Sequence, residues 1–597
     1  MACFQAVILG LTSLILLPGY SFYFDVTPKL VVFWIGTAVL LVWSTLQFRP
    51  APRPFSAVLL LSLIPLGLSA AASPHPALSV FGTTWRRFGA ISQAALLLFS
   101  WTIAAQTAGR PDRIRMILRG IAVSGAIAAL YGIFQYAGWD PLLDPARYHI
   151  GEGLWTIVRP PGTFGYVSYF ANWLVAVIFL CIALASAESS RWWRGFALAA
   201  AAVSAAAMVL TGTRAALAGL FAGLAAGFYL QRNVRLSGRH AAIIFAALFA
   251  AIAFWRSPAG WLLHSRLRWF TEDPWGGARP LLWRDSWVMA LHHPWLGCGL
   301  ETFQSAFPHY ESAALARAYP DFAHESSHNI FLDAFTAEGL PGVLALILLC
   351  LVGLRRSQPW FTAAIIATAT CQQFIVFNLP TALLFNTTIA LAVSKEAAEP
   401  KSRRAGSHVL IAATLLAVGL LVLALRFEAA DRQLALTQQA LHAQNFPAAE
   451  HHYRNYERLQ PGPTTADLWY SRALLDTASH AANPATRIPL LARSATLALR
   501  ATKTAEDPFN AWFQLAILCA SQDNRPATES SLRSAIAAHP LWFKPHWTLA
   551  RLLLQESRRV EAEREASLAV DLDGGKHSEV LQTLTLIRGL PLSEFHK

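Results

Sequence analysis

Apolar runs long enough to cross a bilayer recur from the first residues of this chain to about Phe427, separated by short polar loops, and then stop. A helix needs roughly 20 mostly apolar residues to span the hydrocarbon core. On that measure about thirteen spans are expected, near residues 4–20, 30–48, 56–73, 88–107, 116–137, 166–187, 194–211, 214–231, 240–256, 329–354, 360–377, 380–394 and 408–426. The first run, Phe4 to Leu17, follows no Lys or Arg and precedes no small-residue cleavage site, so it is expected to be a span and not a removed signal. Two polar stretches break the pattern: a tryptophan-rich loop at about 256–327, and everything after Phe427.

Charge placement orients the spans. With the N-terminus in the cytoplasm, the cytoplasmic loops hold Arg49 and Arg53, the cluster Arg110, Arg113, Arg115 and Arg119, then Arg191 and Arg194, Arg232, Arg235 and Arg239, Arg355 and Arg356, and the basic stretch from Lys395 to Arg404. The opposite short loops hold Lys29, Arg86, Arg87, Arg147, Arg159 and Arg214. Cytoplasmic loops carry the excess of Lys and Arg. The long loop is therefore expected outside the cytoplasm, and an odd number of spans puts the tail there too.

The tail is polar and helical in pattern. Phe513-Gln-Leu-Ala-Ile-Leu aligns with Trp547-Thr-Leu-Ala-Arg-Leu, and Ala535 with Ala569, at a period of 34 residues. That is the period of tetratricopeptide helix–turn–helix repeats, which stack into solenoids and present binding surfaces. The expected fold class is all-α: a polytopic membrane domain over 1–427 and a repeat domain over 428–597.

Composition agrees, since 55% hydrophobic and 14% charged residues place the chain in the membrane class. The net charge of +13 would point to nucleic acid if it were clustered, but it lies largely in short loops, so no nucleic-acid partner is expected. Cys3, Cys181, Cys350 and Cys371 lie in or beside apolar runs and leave no disulfide framework.

The candidate chemistry gathers where the long loop runs into a span: His324-Glu-Ser-Ser-His328-Asn329, followed by Glu338-Gly-Leu-Pro-Gly342. Ionisable residues at such depth are costly and mark function by default. Ser326 or Ser327 reads as a helix cap, and Gly339 with Pro341 as a break. Arginines stand on the same expected face, at Arg159, Arg214, Arg279 and Arg284. A guanidinium fork pairs bidentately with phosphate oxygens. Arg214 sits in a tight Thr-Gly-Thr-Arg corner, where the competing reading is snorkelling to the interface. Arg284, beside Asp285, reads equally as a structural ion pair. Of His292, His293, His324 and His328, the last two have helical spacing for two metal ligands, but no Cys or further His completes a set convincingly, so neither metal nor cofactor is expected. A histidine acting as base on a hydroxyl is the simplest chemistry these residues offer.

Together, Thr-Gly-Thr-Arg214-Ala-Ala-Leu, Trp-Arg284-Asp-Ser-Trp, Pro-Trp-Leu-Gly-Cys-Gly-Leu-Glu-Thr-Phe and Ser-His328-Asn-Ile-Phe-Leu…Glu338-Gly-Leu-Pro-Gly resemble the O-antigen ligase and polymerase family over roughly 80–395. Gly162-Thr-Phe-Gly165 is similar to a further family motif, but Tyr166-Val-Ser168 stands where asparagines usually follow. The resemblance implies a GT-C-like glycosyltransferase of the bacterial inner membrane. Such a protein moves a glycan from undecaprenyl pyrophosphate to an acceptor hydroxyl without a metal. It implies that Arg214 and Arg284, with Arg159, grip the pyrophosphate, that His328 handles the acceptor proton, and that Asn329, Glu338 and Arg279 support them. The acceptor (lipid A core, a polymer end or a protein) stays open, as do a polysaccharide polymerase, a protein O-oligosaccharyltransferase and a small-anion transporter. The repeat tail would add a protein partner.

Overall fold

The computed structural model describes residues 1–150, 157–231, 277–355, 357–395, 404–462, 466–481, 483–504 and 506–589, with scattered positions between 249 and 263. Among them the one sheet is a pair of two-residue strands, His149–Ile150 against Ile157–Val158. The membrane part is built from α1 (Ala2–Leu14), α2 (Thr27–Leu46), α3 (Arg53–Ala72), the short α4 (Pro76–Phe81), α5 (Ala90–Thr107), α6 (Pro111–Tyr136), α7 (Val167–Ala187), α8 (Arg191–Leu210) and α9 (Arg214–Leu230). After the long loop, with its α10 (Arg279–His292) and α11 (Ala313–Ala318), follow α12 (Ile330–Leu354), α13 (Pro359–Cys371), α14 (Leu379–Lys395) and α15 (Ser407–His442). Of these, α2, α3, α6, α7, α8, α12 and α15 are long and apolar enough to cross a membrane, while α1, α9 and α13 are apolar but shorter. The chain is an all-α multi-pass membrane protein. The span expected near 240–256 lies mostly outside the described residues.

The bundle is apolar on both its faces, as a bilayer solvent requires. Leu60, Phe221 and Leu415 are exposed, while α7 runs through the middle with Phe170, Leu174, Phe179 and Leu180 fully buried. Small residues let helices close up. A Cβ on Gly219, Gly223 or Gly227 of α9 would meet Cys371, Phe179 or Trp360 at less than contact distance. This spacing of small residues is the usual device for close helix packing in membranes, and it seats the start of α9 against the end of α13. In α12 the expected break is present: Gly339 has φ +70°, and Leu340 N–H donates to the Pro294 carbonyl at 2.7 Å.

The expected division after Phe427 falls inside α15, a single 36-residue helix that leaves the bundle and becomes the first helix of the tail. From there, antiparallel pairs follow one another: α16 (Phe446–Leu459), α17 (Ala466–His480), α18 (Pro484–Thr504), α19 (Pro508–Ser521), α20 (Arg525–Ala538), α21 (Phe543–Gln555), α22 (Arg559–Asp573) and α23 (Ser578–Arg588). Ala535 of α20 and Ala569 of α22 occupy equivalent, fully buried positions. The tail lies at the same end of the bundle as the long loop, for α11 packs on α22.

Candidate functional site

Five turns converge at that end of the bundle and enclose a cavity of about 470 Å³. Asp25 and Lys29 come from the start of α2, Trp85 and Arg86 from the turn before α5, and Gly165, Tyr166 and Tyr169 from the corner before α7. Phe322, Ala323, Glu325 and His328 come from the end of the long loop, and Ile375 to Pro380 from the turn between α13 and α14. Gly165 is there for space as well as conformation. It has φ +71°, and a Cβ on it would lie 1.7 Å from Asp25 Oδ2. The Gly162-Thr-Phe-Gly165 corner is also pinned from both sides, by Gln135 Oε1 accepting from Gly162 N–H at 2.8 Å and by Thr163 Oγ1 donating to the Ser13 carbonyl at 2.6 Å.

His328 sits immediately before the N-cap of α12. Asn329 accepts from the N–H groups of Phe331 and Leu332 at 3.0 and 3.2 Å, and its Nδ2 donates to Gln373 Oε1 at 2.9 Å. This fixes the peptide that carries the imidazole. His328 itself has φ +51°, a conformation uncommon for non-glycine residues, though Asn, Asp and His adopt it more often than most. Among the described residues, its buried Nδ1 has no hydrogen-bond partner. Burial first, then the charges of Arg279, His324 and Arg86, push its pKa down from 6.5 to about 4. The ring is therefore neutral at pH 7, able to accept a proton.

The arginines divide. Arg279 opens α10 and donates from Nε to the Phe374 carbonyl at 3.3 Å, on the turn that also carries Gln373. Half-buried Arg159 lies near enough to Arg279 for its pKa to fall, by burial first and by that like charge after. Arg214 begins α9. Its neighbour Ala215 accepts from Cys371 Sγ at 3.5 Å, which puts Arg214 beside the same α13 terminus. Arg284 is elsewhere: Nε donates to Asp285 Oδ1 at 2.9 Å, an Nη contacts Ser312 Oγ, and about half of its side chain is exposed. Glu338 lines a second, smaller cavity of about 130 Å³ in the bundle. His293 points to Tyr310 and His292 to its own helix.

Arg86 is the residue that the sequence reading passed over, as a topology charge. It is buried, pairs with Glu301 at 2.7 Å and Asp333 at 3.4 Å, covers the Trp85 ring at 4.8 Å, and lines both cavities. The two carboxylates, against the cost of burial, hold its pKa above the ordinary arginine value. The available signal was its position: a Trp-Arg-Arg triplet on the cation-poor face, just before a span.

Residues 199–347 match the sequence profile of a family described as O-antigen ligase. The chain is O-antigen ligase-like. The matched segment of this ligase-like protein contains Arg214, Arg279, Arg284, His328, Asn329 and Glu338, and leaves out Arg86, Arg159 and the tail. The match supports a glycosyltransferase-like membrane enzyme of the ligase or polymerase type. No curated protein matches the chain.

Proposed function

We propose that this protein transfers a glycan from an undecaprenyl-pyrophosphate donor to an acceptor hydroxyl on the periplasmic side of a bacterial inner membrane. The observation that carries the reading is the setting of His328: a neutral, partly buried imidazole on the cavity wall, with Arg279 acting on it and Arg159 and Arg214 at the adjoining turns. In the reaction the acceptor O–H gives its proton to His328 while its oxygen bonds to the anomeric carbon. The bond from that carbon to the pyrophosphate breaks, and the electron pair leaves on the phosphate oxygen. Preorganised guanidinium groups in a poorly solvated site stabilise that charge.

Arg279, Arg214 and Arg159 are the donor-binding set in this reading. Arg284 would join them by giving up Asp285 and Ser312. Asn329 supports by fixing the His328 peptide, and Glu338 by shaping the kinked start of α12. The tetratricopeptide-like tail would present a protein partner. The test is purified protein in nanodiscs given an undecaprenyl-pyrophosphate glycan and, separately, lipid A core, a polymer end and a hydroxylated peptide. Glycan transfer with release of undecaprenyl pyrophosphate is expected with one of the three. A folded protein that binds no lipid-linked donor overturns the reading.

A further inference from the structure

The tail grips three of the turns that line the cavity. At the first, Asp431 accepts from Tyr23 N–H at 3.2 Å and Trp469 meets Phe22 edge to face at 4.7 Å, two and three residues before the cavity-lining Asp25. At the second, the Glu506 carboxylate accepts from Thr84 N–H, next to Trp85 and Arg86. At the third, the stretch from Glu311 to Asp321 lies along α20 to α22. Glu311 Oε2 meets His539 Nε2 at 2.7 Å, Arg317 meets Asp571 at 2.8 Å, and Lys544 meets Asp321 at 2.6 Å. Ala316 is buried with Phe509, Trp542, Phe543 and Ala569 in one apolar cluster, against which Ala323 packs. The chain then reaches Phe322, Ala323, Glu325 and His328 on the cavity wall.

These contacts are not equal. The Arg317 and Lys544 pairs are partly exposed, and such pairs add little. Glu311, His539 and Glu506 are buried, and removing one partner of a buried polar pair leaves the other uncompensated. We infer that the tail is the frame of the cavity as well as a docking surface, and that Glu506 and the Glu311–His539 pair are positioning residues that hold Trp85–Arg86 and Phe322–His328 in register. For its rate measurement this inference rests on the transferase reading. Its structural part does not.

The experiment uses the full chain in nanodiscs with His539→Ala, Glu506→Ala and the exchanged pair Glu311→His with His539→Glu. Rate, donor affinity and amide hydrogen exchange are measured on each. Misplacing reacting groups by about an ångström costs on the order of a hundredfold in rate, so the single variants should lose roughly tenfold to a hundredfold in kcat with donor affinity kept. Exchange should quicken at 84–88 and 311–329 and stay unchanged in α7, and the exchanged pair should recover both. Normal kcat in His539→Ala and Glu506→Ala overturns the positioning role, as does lost protection in α7 alongside the loops, which would make the contacts merely stabilising. If the unsubstituted protein transfers nothing, the transferase reading falls. The exchange pattern then decides the frame: quickening confined to the two loops supports it and unchanged exchange refutes it.

Discussion

His328→Asn separates chemistry from scaffolding more cleanly than alanine does. The position has φ +51°, which asparagine tolerates better than most side chains. Among the described residues the buried Nδ1 of His328 has no partner to lose, and the N-cap belongs to Asn329. The fold should therefore hold, with a stability change within about 1 kcal/mol, and donor binding should survive because the arginines remain. Transfer should fall roughly 10²–10⁴-fold, the range for removing a general base, or about 3–5 kcal/mol in the barrier. The pH profile supplies the second arm. An ordinary imidazole is protonated as pH falls through 6.5, whereas this one stays neutral to about 4. In the unsubstituted protein kcat/KM should hold between those values and fall only near the lower one. Bound pyrophosphate offsets the arginine field, so the acid limb of kcat should lie above that of kcat/KM. The assay is initial transfer rate in nanodiscs at each pH, with tryptophan fluorescence confirming the fold. Near-normal turnover in His328→Asn, or a kcat/KM limb at the ordinary imidazole value, would refute the base assignment.

Arg279→Lys and Arg214→Lys keep the charge and lose the planar fork, so transfer and donor affinity should fall tenfold or more, by rough expectation for a lost bidentate pair, with insertion unchanged. Unaltered transfer would reduce either residue to an interface anchor. Gly165→Ala places a Cβ 1.7 Å from Asp25 Oδ2 at φ +71° and should destabilise by about 2 kcal/mol or more, read as a lower melting midpoint. A wild-type midpoint would mean that the corner shifts freely. A reporter active only in the periplasm, fused after Arg588, should be active if the tail lies outside. Activity only from a cytoplasmic reporter would invert the topology.

The helices of the membrane part were legible because hydropathy is a local property and each span declares itself by length. Arg214, Arg279, His328 and Asn329 were legible for a related reason: a polar residue beside an apolar run is conspicuous. Their grouping was not. That Arg279 and not Arg284 acts on His328 depends on which side of α10 faces the α13–α14 turn, and residues five apart on one helix point about 140° from each other. Arg86 gave only a position in sequence. Its part in the cavity comes from Glu301 and Asp333, more than two hundred residues away.

By itself the sequence determined the membrane class, the apolar helices, the polar loop and the helical character of the tail, since each follows from periodicity and composition within a few turns of chain. Only the tertiary structure decided that α15 runs unbroken from bundle to tail, that five turns meet in one cavity, and that the tail grips three of them. Those facts rest on contacts such as Glu506 with Thr84 and His539 with Glu311. Their partners are hundreds of residues apart, and no local pattern records such a pairing.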